Sequence, residues 1–391
     1  MKKLLFISLA VLLALSVGLV GCAGEGEVPP VLTIGAVYVG SIDDAGYNQA
    51  LHDSIAVIAD NIEGVKIIEA ENVAEGAATA PMQLMINQNA TLIFATSYGY
   101  YDEAKALADA NPDVAFEWCG GGKNATANLG TFFGMPPDGW YLMGMAAGMV
   151  MQINNVTDPT FGFVAAFPLG WTRTFINAFM LGARSAYANV TNLTPPNASP
   201  VTVSVAYTYS WADLAKQAIT TNALIDAGAD VITMHVDAPT TVIGTAETRD
   251  VYSIGYQSVE AKKFAPTKWI SGIGFSFGEL LTPVAQSVID GNHTGQVKLW
   301  SWAQGGMELA PWGPNVTQPV KDAVSAVKAE LEAGTRKVFV GPIYNTTGGI
   351  AQCHAYPGGP PILTLGENVT LPDWMMGWAD DFYVWGVTGG G

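Results

Sequence analysis

A two-lobed α/β fold built on parallel sheets is what this sequence predicts, and three observations carry the prediction. Short apolar, β-branched runs alternate with helix-length amphipathic segments along the chain. The alternation breaks near residues 128–138 and then starts again. The chain has 391 residues, 49% of them hydrophobic. That is too long for one ordinary core and apolar enough for two.

Taken in order, residues 31–39 read as the first strand, and a Gly/Asp-rich turn leads to a helix over 49–61. Strand 65–69, helix 77–88, strand 91–96, helix 102–110 and strand 114–118 complete the first series. The second opens with a helix over 140–153, the most apolar segment of the body. It is too short and too interrupted by Gly and Gln to span a bilayer, so it reads as buried. Strand 161–167, helix 174–188, strand 201–207, helix 212–227 and strand 231–235 follow. Short strands separated by helices require crossover connections, which specifies parallel sheets covered on both faces.

The N-terminus is different in kind. Lys2 and Lys3 precede an apolar run over 4–20, the layout of an export signal. Leu19-Val20-Gly21-Cys22 resembles a lipobox, in which cleavage before the cysteine is followed by lipid attachment to its sulfur. A retained N-terminal anchor is the alternative, and both place the remainder outside the cytoplasm. Residues 23–30, with Gly, Glu and two prolines, suit a tether.

Charge narrows the partners. The chain carries 17 basic and 34 acidic residues, a net −17. Such a surface repels phosphate backbones, so nucleic acid is excluded as a partner. Three cysteines and four scattered histidines show no metal-ligand spacing, and no metal or other cofactor is expected. With Cys22 assigned to lipid, Cys119 and Cys353 either form one disulfide or remain two buried thiols; the sequence leaves both open. Asn-X-Ser/Thr sequons at Asn89, Asn124, Asn155, Asn189, Asn192, Asn197, Asn292, Asn315, Asn345 and Asn368 admit glycosylation. A threonine-rich loop composition explains them equally.

In open parallel sheets ligands sit beyond the carboxyl ends of the strands. Here those ends carry residues 41–44, Ser97-Tyr98, Phe167-Pro168, Tyr209-Ser210-Trp211 and His235-Val236-Asp237. Aromatics and carboxylates dominate, without a basic cluster. Facing rims of this kind make an aromatic cleft for a flat, uncharged or weakly basic solute.

Several stretches, in order and spacing, resemble one family. They include Asp43-Asp44-Ala45-Gly46-Tyr47-Asn48, Ala95-Thr96-Ser97-Tyr98, Trp140-Tyr141-Leu142-Met143-Gly144 and Gly228-Ala229-Asp230-Val231-Ile232 leading to His235-Val236-Asp237-Ala238-Pro239. The chain is similar, from about residue 33 to its end, to the basic-membrane-protein family of transporter substrate-binding lipoproteins, which includes purine nucleoside receptors. The resemblance implies a type I periplasmic-binding fold, two α/β lobes joined by three crossings that close on a ligand. Lobe one is expected over 31–129 and 257–302, lobe two over 130–256 and 303–391. It also implies a purine base or nucleoside as ligand, a permease and ATPase as partners, membrane attachment through Cys22, and a monomer.

Carried over residue by residue, Asp44 is expected to bond a base edge, with Tyr47 and Trp211 stacking from opposite lobes and Asp237 taking a second edge. Asn48, Tyr98, Phe167 and Trp171 complete the cleft, with Asp213 following Trp211. Two departures matter. Where many relatives carry a ribose-binding aspartate, this chain reads Tyr256-Gln257-Ser258-Val259, which favours a base over a nucleoside. Phe277 stands where the nearest branch has tryptophan.

Other readings compete. Gly274-Phe275-Ser276-Phe277-Gly278 matches the GxSxG nucleophile elbow, with Asp290 and His354 as partners for a serine hydrolase. Gly120-Gly121-Gly122-Lys123 suggests a phosphate loop, but Asn124 follows where Ser or Thr belongs, so a surface turn is expected. Asp43-Asp44 and Asp380-Asp381 are adjacent pairs, whose side chains diverge, so neither is a catalytic dyad. A sensor lipoprotein of the same fold is the remaining alternative to transport.

Overall fold

A computed structural model of the chain describes residues 29–187, 201–354, 361–372 and 382–389. The signal sequence, Cys22, most of the tether, Asp380-Asp381 and the sequons at Asn189, Asn192 and Asn197 lie outside the described residues.

The chain begins with β1 (Leu32–Val37), α1 (Tyr47–Asn61), β2 (Val65–Ala70), α2 (Thr79–Asn87), β3 (Leu92–Ala95), α3 (Tyr101–Ala110), β4 (Ala115–Cys119) and β5 (Leu129–Met135). It crosses to the second lobe at α4 (Pro137–Ile153). There follow β6 (Thr160–Ala165), α5 (Gly170–Ser185), β7 (Thr202–Tyr207), α6 (Leu214–Asp226), β8 (Val231–His235), α7 (Pro239–Thr248), β9 (Tyr252–Gln257) and β10 (Trp269–Phe275). Next come α8 (Gly278–Ile289), β11 (Val297–Ser301), β12 (Met307–Leu309), α9 (Gln318–Glu332), the hairpin β13 (Gln352–His354) and β14 (Pro361–Thr364), and β15 (Val387–Gly389).

Two large sheets result. The first has strand order β11-β5-β4-β3-β1-β2 and the second β12-β10-β9-β8-β6-β7-β15. All pairs are parallel except β12, which runs antiparallel to β10. Central strands such as β1, LTIGAV, are buried along their whole length, as a sheet covered on both faces requires. The alternation read from the sequence is therefore the architecture.

Sheet membership shifts two expected lobe boundaries by one strand each. Residues 129–135 pair with β4 in the first sheet, and 269–275 pair with β9 in the second. The three crossings fall at β5 to α4, β10 to α8 and β11 to β12. Phe277 sits in the second crossing. Its buried ring stacks on Phe275 at 5.0 Å and meets Phe132 at 5.5 Å and Trp300 at 5.6 Å. It is a hinge residue and not a ligand contact.

The helix read as buried is so. α4 packs on α5 through glycines: a Cβ at Gly144, Gly148 or Gly182 would strike the backbone of the facing helix. The far side of α5 is gripped by the C-terminal segment. Asn177, wholly buried, donates from Nδ2 to the Phe382 carbonyl at 2.9 Å and accepts the Val384 N–H at 2.8 Å. Cys119 and Cys353 are separate buried thiols, one in β4 and one in β13, without a disulfide between them. Among the described residues no helix is long and apolar enough to cross a membrane, and no cluster suits a metal ion.

Candidate ligand-binding cleft

The strand-end rule places the cleft. Residues after β1 to β4, with Phe133 in β5, face residues after β6 and β7 and at the ends of β8 and β9, and between them lies a cleft whose empty space, open solvent included, is about 390 Å³. From the first lobe Tyr47, Glu75, Ser97, Tyr98, Gly120 and Phe133 line it. From the second come Trp171, Trp211, His235, Asp237 and Gln257.

Aromatic rings form most of the wall. Phe133 and Trp171 stack at 5.5 Å with 25° between planes, and Tyr98 meets Trp171 edge-on at 5.6 Å. Both pairs join the two lobes. The Tyr47 hydroxyl donates to the Cys119 carbonyl at 3.3 Å, which fixes its ring against the cavity. Trp211 packs edge-on to Phe167 and His235 at 5.3 Å each. Phe167 thus supports Trp211 from behind and does not line the cavity.

The polar groups are few and specific. Asp237 keeps part of its surface open to the cavity but is otherwise enclosed by protein. Burial pushes its carboxyl up to about 7, opposed by the Gln257 amide, which donates from Nε2 to Oδ1 at 3.1 Å. Gln257 ends β9 with φ +79, an uncommon backbone for a non-glycine residue, and its Oε1 is buried without a partner. The Trp171 Nε1–H and the Tyr256 hydroxyl are likewise buried and unpartnered. Buried polar atoms are normally paired, and of these orphans Gln257 Oε1 and Trp171 Nε1 belong to residues that line the cleft. His235 is held neutral, its pKa lowered to about 3 by burial, with Nδ1 3.1 Å from Thr172 Oγ1. Glu75 accepts from the Ser97 hydroxyl at 2.6 Å and the Gly99 N–H at 2.8 Å.

Of the residues expected from the sequence, Tyr47, Tyr98, Trp171, Trp211 and Asp237 meet in the cavity. Asp44 does not. Its two oxygens accept the Gly46, Asn48 and Gln49 N–H groups and the Asn48 side-chain amide, at 2.7 to 3.2 Å. Four donors saturate a carboxylate, so Asp44 fastens the first turn of α1. Asn48 serves the same turn, with Oδ1 accepting the Gly40 N–H at 3.1 Å. Asp213 caps α6 by accepting the Lys216 N–H at 3.0 Å.

Ser276 and Asp290 flank α8, whose 12 residues span roughly 18 Å at 1.5 Å each, so they form no triad. Gly120 and Gly121 are buried in the cleft wall and are no surface turn.

Comparison with known proteins agrees with this architecture. The model of the Bmp family, described as ABC transporter substrate-binding protein PnrA-like, matches residues 31–334. The chain belongs to the Bmp family. A purine-binding protein of Brucella abortus is 30% identical over 83% of this chain and 88% of its own length. A protein of Haloferax volcanii, provisionally named an ABC transporter glucose-binding protein, is 30% identical over 83% of this chain and 77% of its own. An ABC transporter solute-binding protein of Aeropyrum pernix superposes with a TM-score of 0.65 at 14% identity, covering 81% of this chain and 93% of that one. A second, from Conexibacter woesei, gives 0.60 at 16%, covering 78% and 98%. These neighbours share the periplasmic-binding type I fold.

As a Bmp-family protein the chain is an ABC transporter substrate-binding protein and not an enzyme. Proteins of this class act outside the cytoplasm and hand a small molecule to a permease and ATPase.

Proposed function

We propose that this chain captures a purine base or nucleoside between its lobes, as a lipoprotein anchored outside the cell through Cys22. The observation that carries the reading is the Asp237–Gln257 pair at the end of an aromatic-walled cavity. A purine presents flat faces for Tyr47, Trp171 and Trp211, and edges that mix N–H donors with acceptors. Asp237 accepts from a donor, and the unpartnered Gln257 Oε1 accepts from a second. Stacking contributes roughly 1–3 kcal/mol per base–ring contact. The edge contacts supply choice, because a site built for donors rejects analogues that lack them. The purine-binding relative from Brucella supports the class.

The lipoprotein reading rests on Lys2-Lys3, the apolar run and Leu19-Val20-Gly21-Cys22. Glycosylation is supported by the exposure of Asn89, Asn124, Asn155, Asn292, Asn315 and Asn368.

A thermal-shift screen of the full chain in detergent, against bases, nucleosides, amino acids and sugars, tests the ligand class. A ligand at about 100 times its Kd stabilises by about 2.7 kcal/mol, a visible rise in Tm. Adenine or guanine raising Tm supports the reading. Response to glucose alone, with every purine silent, transfers the function of the Haloferax relative and removes the purine.

A further inference from the structure

The cleft does not end at Trp171. A second chamber of about 780 Å³ lies beyond it and shares Tyr98, Gly120, Phe133 and Trp171 with the first. Its distinctive wall is the loop Gly120-Gly121-Gly122-Lys123, between β4 and β5.

Three features set this loop apart. The Gly120 N–H donates to the Phe132 carbonyl at 3.3 Å, but the N–H groups of Gly121, Gly122 and Lys123 bond to nothing among the described residues. Gly121 is buried, and a buried amide without a partner is rare. Next, the backbone itself forms the wall. A Cβ on Gly120 would strike the Trp118 ring, and one on Gly121, whose φ is +122, would come within 2.7 Å of Trp171. Glycine is what lets consecutive amides approach the chamber, as in other anion-binding nests. Finally, the Lys123 ammonium pairs with no carboxylate among the described residues. It lies over the rings of Tyr101, Tyr98 and Trp118 at 4.4, 5.4 and 5.6 Å. In a chain with twice as many acids as bases, an unpaired lysine lining a cleft is unusual.

The two chambers therefore differ in polarity. Glu75 and Asp237 face the first; a lysine and unpaired amides face the second. We propose that the Gly120–Lys123 loop is an oxyanion site that receives a phosphate or carboxylate arm carried by the heterocyclic ligand. Lys123 leaves its aromatic cage to meet the arm, and the loop amides donate to it. Hydrolysis is not part of the proposal, since Asn124 supplies no hydroxyl for a metal. The inference rests on the reading that the ring occupies the chamber of Tyr47 and Asp237.

Isothermal titration of the full chain with adenine, adenosine, AMP and a carboxymethyl-adenine tests it. AMP or the carboxylate analogue is expected to bind at least about tenfold tighter than adenosine, the worth of one charge-assisted hydrogen bond. Which of the two gains identifies the arm. The gain shrinks in high salt. In Lys123→Met the AMP-to-adenosine ratio falls to about one, and Lys123→Arg restores it. Adenosine binding as tightly as both acidic ligands overturns the oxyanion site while leaving the purine reading in place. If no adenine compound binds, the purine reading fails, and inorganic phosphate decides the loop separately. Saturable phosphate quenching of tryptophan fluorescence, lost in Lys123→Met, supports the site; its absence overturns it.

Discussion

The Tyr47 amide donates across the cleft to the carbonyl oxygen of Asp237, at 3.4 Å. Tyr47 opens α1 in the first lobe and Asp237 follows β8 in the second, so this backbone contact links two cleft residues as well as two lobes. The lobes are closed at this point. A ligand that bonds the Asp237 side chain and stacks on Tyr47 stabilises the same closed arrangement, which is how a clamp converts binding into a shape its permease reads.

Gly46 makes that approach possible. A Cβ there would collide with the Asp237 carbonyl and with Pro239 Cδ. Gly46→Val is therefore expected to prop the cleft open, because the obstacle is backbone and ring and cannot rotate away. Small-angle scattering should show a larger radius of gyration, and ligand affinity should fall by tenfold or more, about 1.4 kcal/mol. An unchanged radius with unchanged affinity would show that closure does not need this contact.

Asp237 makes both stability and binding depend on pH. Its folded-state pKa of about 7 lies above the ordinary carboxylate value, so the folded protein prefers the protonated acid. The burial cost is absent below about pH 4, grows as pH rises, and is complete above about 7. The ligand-free chain is accordingly expected to lose stability across that window, and Asp237→Asn to flatten the loss. A ligand N–H that bonds the carboxylate favours its charged form, so affinity rises with pH through the same range and protons are released on binding. Calorimetry in buffers of different ionisation enthalpy reads that release; Asp237→Asn should abolish it and weaken purine binding by about 1–3 kcal/mol.

Much of this was legible in the sequence, and the misses have physical reasons. Strand and helix periods gave the parallel sheets, because covered strands such as LTIGAV have nowhere to be but inside. The lobe boundaries depended on which sheet β5 and β10 join, and pairing is a tertiary choice that periodicity does not record. Asp44 was read as a ligand contact, yet an acid ahead of a helix start is also a local signal for accepting first-turn amides, and that use won. Glu75 and Phe133 escaped notice, and Gln257 was read only as part of a stretch that lacks an aspartate. Glu75 sits in an unremarkable loop, Phe133 looks like any apolar strand residue, and the contact of the Gln257 amide with Asp237 is a tertiary one that the sequence does not record.

Trp171 divides the cleft, and its indole N–H has no partner. Trp171→Ala is expected to merge the chambers and to weaken a stacked base by about 1–3 kcal/mol. Bulkier ring substituents should be tolerated better than in the parent. Trp171→Phe keeps the stack on Phe133 and removes the orphan donor, so it should retain most of the affinity. Titration with adenine and a series of enlarged adenines separates these outcomes: equal losses across the series would mean that Trp171 stacks without partitioning.

The first lobe also holds a charge with no obvious role at the cleft. Glu117 in β4 is fully buried, with Lys298 Nζ at 2.8 and 3.0 Å and His293 Nε2 at 3.1 Å. Lys298 lies on β11, the strand added after the second crossing, so the pair ties the last strand of the sheet to its interior. Desolvation takes back much of what the attraction gives, so the pair is worth little in itself, but breaking it strands a charge. Lys298→Met is expected to destabilise the first lobe by about 3–5 kcal/mol, read as a lower denaturant midpoint. Lys298→Met with Glu117→Leu removes both charges and should recover most of that loss. Failure of the double variant to recover would mean that Gly130, whose backbone packs directly on the Glu117 carboxylate, leaves no room for a branched apolar side chain. In that case Glu117→Gln, which keeps the shape, should recover it instead.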